Sequence, residues 1–214
     1  MFLLKTLTMS FVIIIFLAFA VIHSITVTGW FKRLCANAFG DTFMRVGYRF
    51  LYNAVSGGTA FLAIFLLAHI PDQVIWRASA VPRITLRIMQ LAGFMFGILS
   101  FKNLDAGEFM GIRQVWRYLR SREVAGNSEG LTQKELVTTG VYGIVRHPLY
   151  VAGLVIFTFS PDITVNGLLI TVMADLYFLF GMFIEERRFL RIYGDRYREY
   201  MLHVPRMLPR ICSR

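Results

Sequence analysis

Two apolar segments of this chain are separated by only a short turn and bounded on their outer sides by ionisable residues. The segments cover residues 147–160 and 164–184, and the turn between them contains Pro and Asp, so a tight helical hairpin is predicted. Arg146 stands before the first segment and Glu185 after the second, so the hairpin would bring them together. Ionisable groups at the edge of hydrocarbon are costly unless each finds a partner, which makes this cluster a functional-site hypothesis.

Further apolar segments occur near residues 5–27, 47–70 and 84–104. A membrane-spanning helix needs about 20 apolar residues, and the hydrophobic fraction of 56% with a mean hydropathy of +0.56 exceeds that of soluble domains. The sequence therefore predicts an all-α integral membrane protein with about five transmembrane helices, the fourth of them short. The first apolar run continues past Ala20, which favours a retained helix over a cleaved signal peptide.

One membrane domain over residues 1–214 is expected, because polar linkers are too few to separate a second. Its expected parts are N-terminal transmembrane helices over 1–104, a connection over 105–146, the hairpin over 147–186 and a tail over 187–214.

The basic residues are distributed unevenly between the two sides of the predicted bundle. With five spans, 18 of the 23 Lys and Arg residues fall on the side of the C-terminus, and only Lys5, Arg77, Arg83 and Arg87 fall on the other. This bias predicts that the long connection, the ionisable cluster and the C-terminus are cytoplasmic. The net charge of +10 is thus explained by the membrane orientation, and no nucleic-acid partner is expected. Cys35 and Cys212 lack the spacing of a metal site, so no metal is expected.

The connection over 105–146 contains apolar residues at helical spacing, which are Phe109, Ile112, Val115, Trp116 and Leu119. Arginines at 113, 117, 120 and 122 alternate with them, so the segment predicts a basic amphipathic helix. Two interpretations are open: an interfacial anchor to anionic lipid, and a roof over the ionisable cluster.

The C-terminal part contains three blocks, in order: Lys134-Glu-Leu-Val-Thr-Thr-Gly-Val-Tyr142, Arg146-His-Pro-Leu-Tyr150, and Glu185-Glu186 followed by Tyr193-Gly194, Tyr197, Tyr200 and Val204-Pro205. Over residues 134–209 this pattern resembles the membrane-integral S-adenosylmethionine methyltransferases. Their members include isoprenylcysteine carboxyl methyltransferases, phospholipid methyltransferases and methanethiol S-methyltransferases. The resemblance implies S-adenosylmethionine as cofactor and a membrane methyltransferase activity.

The resemblance also implies roles for individual residues. The residues expected to bind the cofactor are Lys134, Glu135, Leu136, Val137, Tyr142, His147, Pro148, Leu149, Tyr150 and Glu185. The residues expected at the reaction centre are Arg146, His147 and Glu186. Carboxylates and aromatic faces suit a cofactor that carries a sulfonium cation. Taken singly, each residue also has a structural interpretation, such as Tyr142 and Tyr150 in an interfacial aromatic belt.

A weaker resemblance to the thiol methyltransferase branch and to the NnrU-like proteins comes from the N-terminal half. It is carried by His23-Ser24, Tyr48-Arg49, Leu51-Tyr52-Asn53 and Gly111-Ile-Arg-Gln114. The residues expected on the substrate side are His23, Tyr48, Arg49, Asn53 and Gln114. His23 as a helix-packing residue and Arg49 as a snorkelling one are the alternatives.

The acceptor is expected to be a small or lipid-like molecule, and a thiol is the favoured choice. Prenylcysteine enzymes carry an arginine four residues before the first glutamate, where this chain has Gly181. Carboxyl O-methylation and phospholipid N-methylation remain alternatives, as do an NADPH-dependent sterol or enone reductase, which shares an Arg-His-Pro-x-Tyr block, and a non-catalytic membrane accessory protein. The sequence leaves the oligomeric state open.

Overall fold

A computed structural model describes residues 2–102, 104–124, 126–128 and 136–209. The helices are α1 Phe2–Val27, α2 Gly29–Val46, α3 Tyr48–Ala68, α4 Ala80–Lys102, α5 Ala106–Phe109, α6 Ile112–Ser121, α7 Pro148–Thr158, α8 Val165–Tyr193 and α9 Asp195–His203, with a 3-10 turn at Gly140–Gly143. Two short strands, β1 Val74–Arg77 and β2 Asp162–Thr164, complete the described elements. The all-α membrane prediction is confirmed.

Four helices are long and apolar enough to cross a bilayer: α3, α4, α8, and α1 over Thr6–Val27. α7 is a shorter apolar helix. These match the five predicted segments. The helices also extend beyond these segments. α2 was not predicted at all, and α8 continues nine residues beyond its predicted end at residue 184, to Tyr193. The extension consists largely of charged and aliphatic helix formers, and it ends only at Gly194, whose φ of 57° terminates the helix.

The chain forms two compact units. Unit 1 contains residues 1–71 and 105–134, and unit 2 contains residues 72–104 and 135–214.

In unit 1, α1 packs against α3, and α2 connects them. The hydroxyl of Tyr48, the first residue of α3, donates to the carbonyl of Thr26 near the end of α1, at 2.5 Å. The segment predicted as one amphipathic helix is in fact two, α5 and α6, because Gly111 between them adopts a φ of 80°. A side chain at Gly111 would overlap the backbone of Phe50, so this turn approaches α3 too closely for any other residue.

In unit 2, α4 packs against α7, and α7 packs against α8 in the predicted hairpin. The contact between α4 and α7 depends on a small residue, as is common between membrane helices. A Cβ built at Gly93 would lie 2.7 Å from Cγ1 of Val155.

α7 crosses only part of the bilayer. Its 11 residues rise by about 16 Å, roughly half of the hydrocarbon core. It ends at Thr158, whose hydroxyl donates to Asp175 midway along α8, at 2.9 Å. Beyond Thr158 the chain turns at Phe159, bends at Pro161 and enters α8 directly after β2, so the predicted short connection is kept but its last residues form a strand.

The polar groups at the end of α7 have internal partners, as the absence of water in hydrocarbon requires. Gln90 of α4 donates to the carbonyl of Ile156 at 2.7 Å, and Thr171 of α8 donates to the carbonyl of Phe157 at 3.4 Å. β2 pairs with β1 in antiparallel fashion. Arg83 then forms two hydrogen bonds to the carboxylate of Asp162, at 2.9 and 3.2 Å, which fix β2 to the start of α4.

The close contact at Gly93 can be tested by substitution. We expect Gly93→Ala to destabilise the protein by about 1–3 kcal/mol, because Val155 is branched and must shift or change rotamer. Gly58→Ala in α3 is the matched control, since a Cβ there meets nothing within 4 Å. Thermal unfolding in detergent should show a lower Tm for Gly93→Ala and no loss for Gly58→Ala. Equal Tm values for both variants would contradict the packing described.

Candidate functional site

The ionisable cluster of unit 2 is organised around the carboxylate of Glu186, which is buried. Arg146 donates to its Oε1 through Nε at 3.0 Å and through Nη2 at 2.7 Å. Arg206 donates to its Oε2 at 2.6 Å, and Nε2 of His147 lies 3.3 Å from Oε1. Both oxygens of Glu186 are therefore engaged, and the arginine predicted to meet Glu185 meets Glu186 instead.

The end of α9 and the segment after it close over the same cluster. The remaining nitrogen of Arg146, Nη1, donates to the carbonyls of Val204 and Met201, at 2.6 and 3.2 Å. The main-chain amides of Arg146 and His147 donate to the carbonyls of Pro205 and Arg206, at 2.9 and 3.3 Å. The tail therefore fixes both the side chain and the main chain of the Arg146-His147 block.

His147 lies between the two glutamates. Its Nδ1 is 3.4 Å from Oε2 of Glu185 and its Nε2 is 3.3 Å from Oε1 of Glu186. The His147 side chain is 2% exposed, whereas that of Glu185 is 26% exposed. Consecutive residues on a helix point about 100° apart, so one glutamate is buried in the protein while the other reaches the surface of the cluster.

Tyr150 lies beside the accessible glutamate. Its hydroxyl is within hydrogen-bonding reach of Glu185, and its ring meets that of His147 edge to face, with centroids 5.5 Å apart. A Cβ at Gly181 would lie 3.2 Å from the ring and 3.3 Å from the hydroxyl of Tyr150. The glycine at position 181 therefore provides the space in which Tyr150 lies against α8.

Three further tyrosines surround the cluster. Tyr200 donates its hydroxyl to the carbonyl of Tyr142 at 2.5 Å, and the ring of Tyr197 packs on Tyr200. Burial raises the pKa of Tyr200 to about 12. Burial, and then the charge of Glu185, raises the pKa of Tyr142, while burial and then Glu186 raise that of Tyr197. These phenols therefore stay neutral at physiological pH and keep the proton with which a hydroxyl can donate a hydrogen bond.

The other predicted cofactor residues that the structure describes lie next to this cluster along the chain. Leu136 packs against the core formed by Tyr197, Tyr200 and Val204. Pro148 occupies the first turn of α7, as predicted, and is buried. Leu149 follows it and is half-buried, as is Val137 beside Leu136. Lys134 and Glu135 lie outside the described residues.

The predicted substrate residues all lie in unit 1. Arg49 and Asn53, four residues apart on α3, donate to the carbonyl of Phe109, at 2.7 and 3.0 Å. Gln114 donates to the neighbouring carbonyl of Glu108 at 2.9 Å. With the bond from Tyr48 to α1 described above, four of the five residues bind main-chain carbonyls and hold the helix junctions in place.

His23 differs, because its ring nitrogens face side chains. Nδ1 lies 3.2 Å from Oγ of Ser56, and Nε2 lies 3.2 Å from the hydroxyl of Tyr52. Sequence reasoning missed Ser56, although it follows Tyr52 by one helical turn on the same face. It also missed Arg206, whose only signal was its place directly after the Val204-Pro205 motif.

Comparison with known proteins identifies the superfamily. The phospholipid methyltransferase family matches residues 106–196, which include Arg146, His147 and both glutamates. Together with the relatives described below, this match supports the membrane-integral methyltransferase superfamily of the isoprenylcysteine carboxyl and phospholipid methyltransferase type. The chain is therefore a membrane methyltransferase, and such enzymes in general take the methyl group from S-adenosylmethionine.

Curated relatives match the methyltransferase over most of its length. Methanethiol S-methyltransferase 2 of Bradyrhizobium diazoefficiens is 28% identical over 196 residues, covering 92% of this chain and 71% of the relative. The methanethiol S-methyltransferases of Crocosphaera subtropica and Mycobacterium tuberculosis are 26% and 28% identical, each over 89% of this chain and over 71% and 74% of their own lengths. No solved structure matches the chain significantly.

The buried ion pair of the methyltransferase can be compared with an exposed one. Glu186→Ala leaves the guanidinium of Arg146, 8% exposed, without a counter-charge, so we expect a loss of about 3–5 kcal/mol. The control is Asp195→Ala in α9, whose pair with Arg198 is 93% and 69% exposed and should contribute about 0–1 kcal/mol. Thermal unfolding in detergent measures both. Similar Tm values for the two variants would refute the structural role of Glu186.

Proposed function

We propose that the methyltransferase binds S-adenosylmethionine at the cluster of unit 2 and transfers its methyl group to a small thiol. The observation that carries the proposal is the asymmetry of the two glutamates. Glu186 is buried and engaged by Arg146 and Arg206, whereas Glu185 is partly accessible beside His147 and Tyr150.

The residues present fit S-adenosylmethionine. A cofactor with an amino group, a ribose diol and a sulfonium cation needs an accessible carboxylate and aromatic faces, and Glu185, Tyr142 and Tyr150 supply them. Tyr197 adds a buried hydroxyl that has no hydrogen-bond partner among the described residues. When bound, the cofactor supplies an electrophilic methyl group on sulfur.

We assign two kinds of role to the residues predicted at the reaction centre: positioning and cofactor contact. Arg146 and Glu186 act as positioning residues, because they bind each other and the tail. His147 holds Glu185 in place through Nδ1 and contacts the cofactor. Leu136, Val137, Pro148, Leu149, Lys134 and Glu135 are proposed to complete the cofactor site, as the resemblance implies.

A thiol acceptor is supported by the names of the relatives and by Gly181. All three relatives described above are methanethiol S-methyltransferases. Prenylcysteine enzymes carry an arginine at the position of Gly181, and an arginine there would displace Tyr150. The absence of that arginine argues against recognition of a prenylcysteine carboxylate by such a side chain.

Because a thiol reacts as the thiolate, the acceptor site also needs a group that holds the released proton. We propose His23 for this role, with Tyr48, Arg49, Asn53 and Gln114 supporting the main chain around it.

The orientation is proposed from charge. The 18 to 4 distribution of basic residues favours a cytoplasmic cofactor site, where S-adenosylmethionine is available.

Cofactor binding is tested by calorimetry of the detergent-purified protein with S-adenosylhomocysteine. Glu185→Gln should weaken binding at least tenfold, about 1.4 kcal/mol, because the accessible carboxylate is lost while the fold is kept. Glu199→Gln, on the exposed face of α9, should bind as the unmodified protein does. Binding of NADPH instead of S-adenosylhomocysteine would overturn the proposal in favour of a reductase.

The acceptor is tested by incubating the protein with methyl-labelled S-adenosylmethionine and methanethiol, a prenylcysteine or phosphatidylethanolamine. We expect label in volatile dimethyl sulfide. His23→Gln should lower kcat/KM for the thiol at least tenfold, roughly what loss of a proton acceptor costs. His69→Gln should not, since His69 is exposed at the end of α3 and the described contacts of its side chain are with Phe65, one helical turn earlier. Label in the lipid fraction would refute the thiol assignment.

A further inference from the structure

α6 of unit 1 has a sharply divided surface. Its apolar residues Ile112, Trp116 and Leu119 are 53%, 63% and 67% exposed, and their spacing places them on one face of the helix. Gln114, on the opposite face, is completely buried and donates to the carbonyl of Glu108. α6 is therefore held by its polar side and presents its apolar side outward.

The same unit carries a second exposed apolar pair. Trp30 and Leu34 lie one turn apart at the start of α2 and are 63% and 52% exposed, and α2 packs against α6. We call these five residues, Trp30, Leu34, Ile112, Trp116 and Leu119, the apolar face of α2 and α6.

The membrane helices place this apolar face at a bilayer boundary. Tyr48 bonds to Thr26 and so brings the start of α3 level with the end of α1. Trp30 follows the end of α1 by three residues. Arg49, in the first turn of α3, donates to Phe109, directly before α6. Both parts of the apolar face therefore lie where the two spans leave the hydrocarbon.

The charges beside the apolar face are basic. Residues 112–121 contain Arg113, Arg117 and Arg120 and no acidic residue. Arg113 pairs with Asp105 and Arg117 with Glu108. Arg120 is exposed, and no described acidic side chain forms an ion pair with it. On a helical projection the three arginines form one flank of the apolar face.

We propose that the apolar face of α2 and α6 lies in the headgroup layer of the membrane and that the arginine flank of α6 binds the phosphates of anionic lipids. Trp is suited to this depth because its ring is apolar and its N–H is polar. Arginine side chains bind phosphate in a bidentate manner. The occupant is therefore a lipid surface, and anionic lipid becomes a ligand of unit 1 independent of the methyl-transfer chemistry.

Depth is measured by fluorescence quenching in the full chain, reconstituted into phospholipid nanodiscs. The double variant Trp30→Phe with Trp76→Phe leaves Trp116 as the only tryptophan, and Trp76→Phe with Trp116→Phe leaves Trp30. We expect both to be quenched more strongly by lipids brominated close to the glycerol than by lipids brominated near the chain ends. Emission that no brominated lipid quenches would overturn the proposal, because the apolar face would then be in water or covered by protein.

Anionic preference is measured by native mass spectrometry after exchange into mixed phosphatidylglycerol and phosphatidylcholine. Arg120→Gln should reduce retained phosphatidylglycerol about fivefold, the effect of one basic residue near an anionic surface. Arg198→Gln, on the exposed face of α9 in unit 2, is the matched control and should change retention little. Equal retention by Arg120→Gln and the unmodified chain would refute the arginine–phosphate contact.

Discussion

The ion pairs and hydrogen bonds of the buried Glu186 carboxylate are the interactions on which the ionisable cluster of unit 2 depends. A buried charge of this kind is tolerated only when its partners compensate for lost hydration, and here Arg146, Arg206 and His147 together do so. Because Arg206 belongs to the tail and Arg146 to the block before α7, the charge joins distant parts of unit 2. Rigidity then follows for His147, whose main chain is bonded to the tail and whose ring is held between two carboxylates.

Much of the fold was predictable because bilayer length and apolar composition constrain it so strongly. The five apolar segments follow from those two properties, and the hairpin of α7 and α8 follows from the short connection with Pro and Asp between them. α2 was missed because its composition is mixed, and the cap that starts it is a single hydrogen bond from the Phe31 amide to the Thr28 hydroxyl. The break at Gly111 was missed for a related reason: the apolar periodicity continues across it, and only the approach to Phe50 requires it.

The candidate site was predicted in its residue types more than in its pairings. Sequence placed Arg146 and the glutamates at the feet of one hairpin, but the choice between Glu185 and Glu186 depends on which side of α8 faces the cluster. Arg206 could not be paired from sequence, since the bond depends on how α9 folds back. In the N-terminal half, the sequence suggests that Arg49, Asn53 and Gln114 face the substrate. Their side chains donate hydrogen bonds to main-chain carbonyls, and a sequence pattern cannot predict such partners.

The short length of α7 has a consequence for how the protein assembles. An ordinary membrane helix satisfies its own backbone and inserts alone. The end of α7 instead depends on Gln90 of α4, on Thr171 of α8 and on the pairing of β2 with β1. Gln90 and β1 are far from the end of α7 in sequence, so these contacts form late and slow folding. The last hydrocarbon-buried carbonyls of α7 are therefore satisfied by tertiary structure, and α7 should become a stable transmembrane element only after α4 and α8 have joined it.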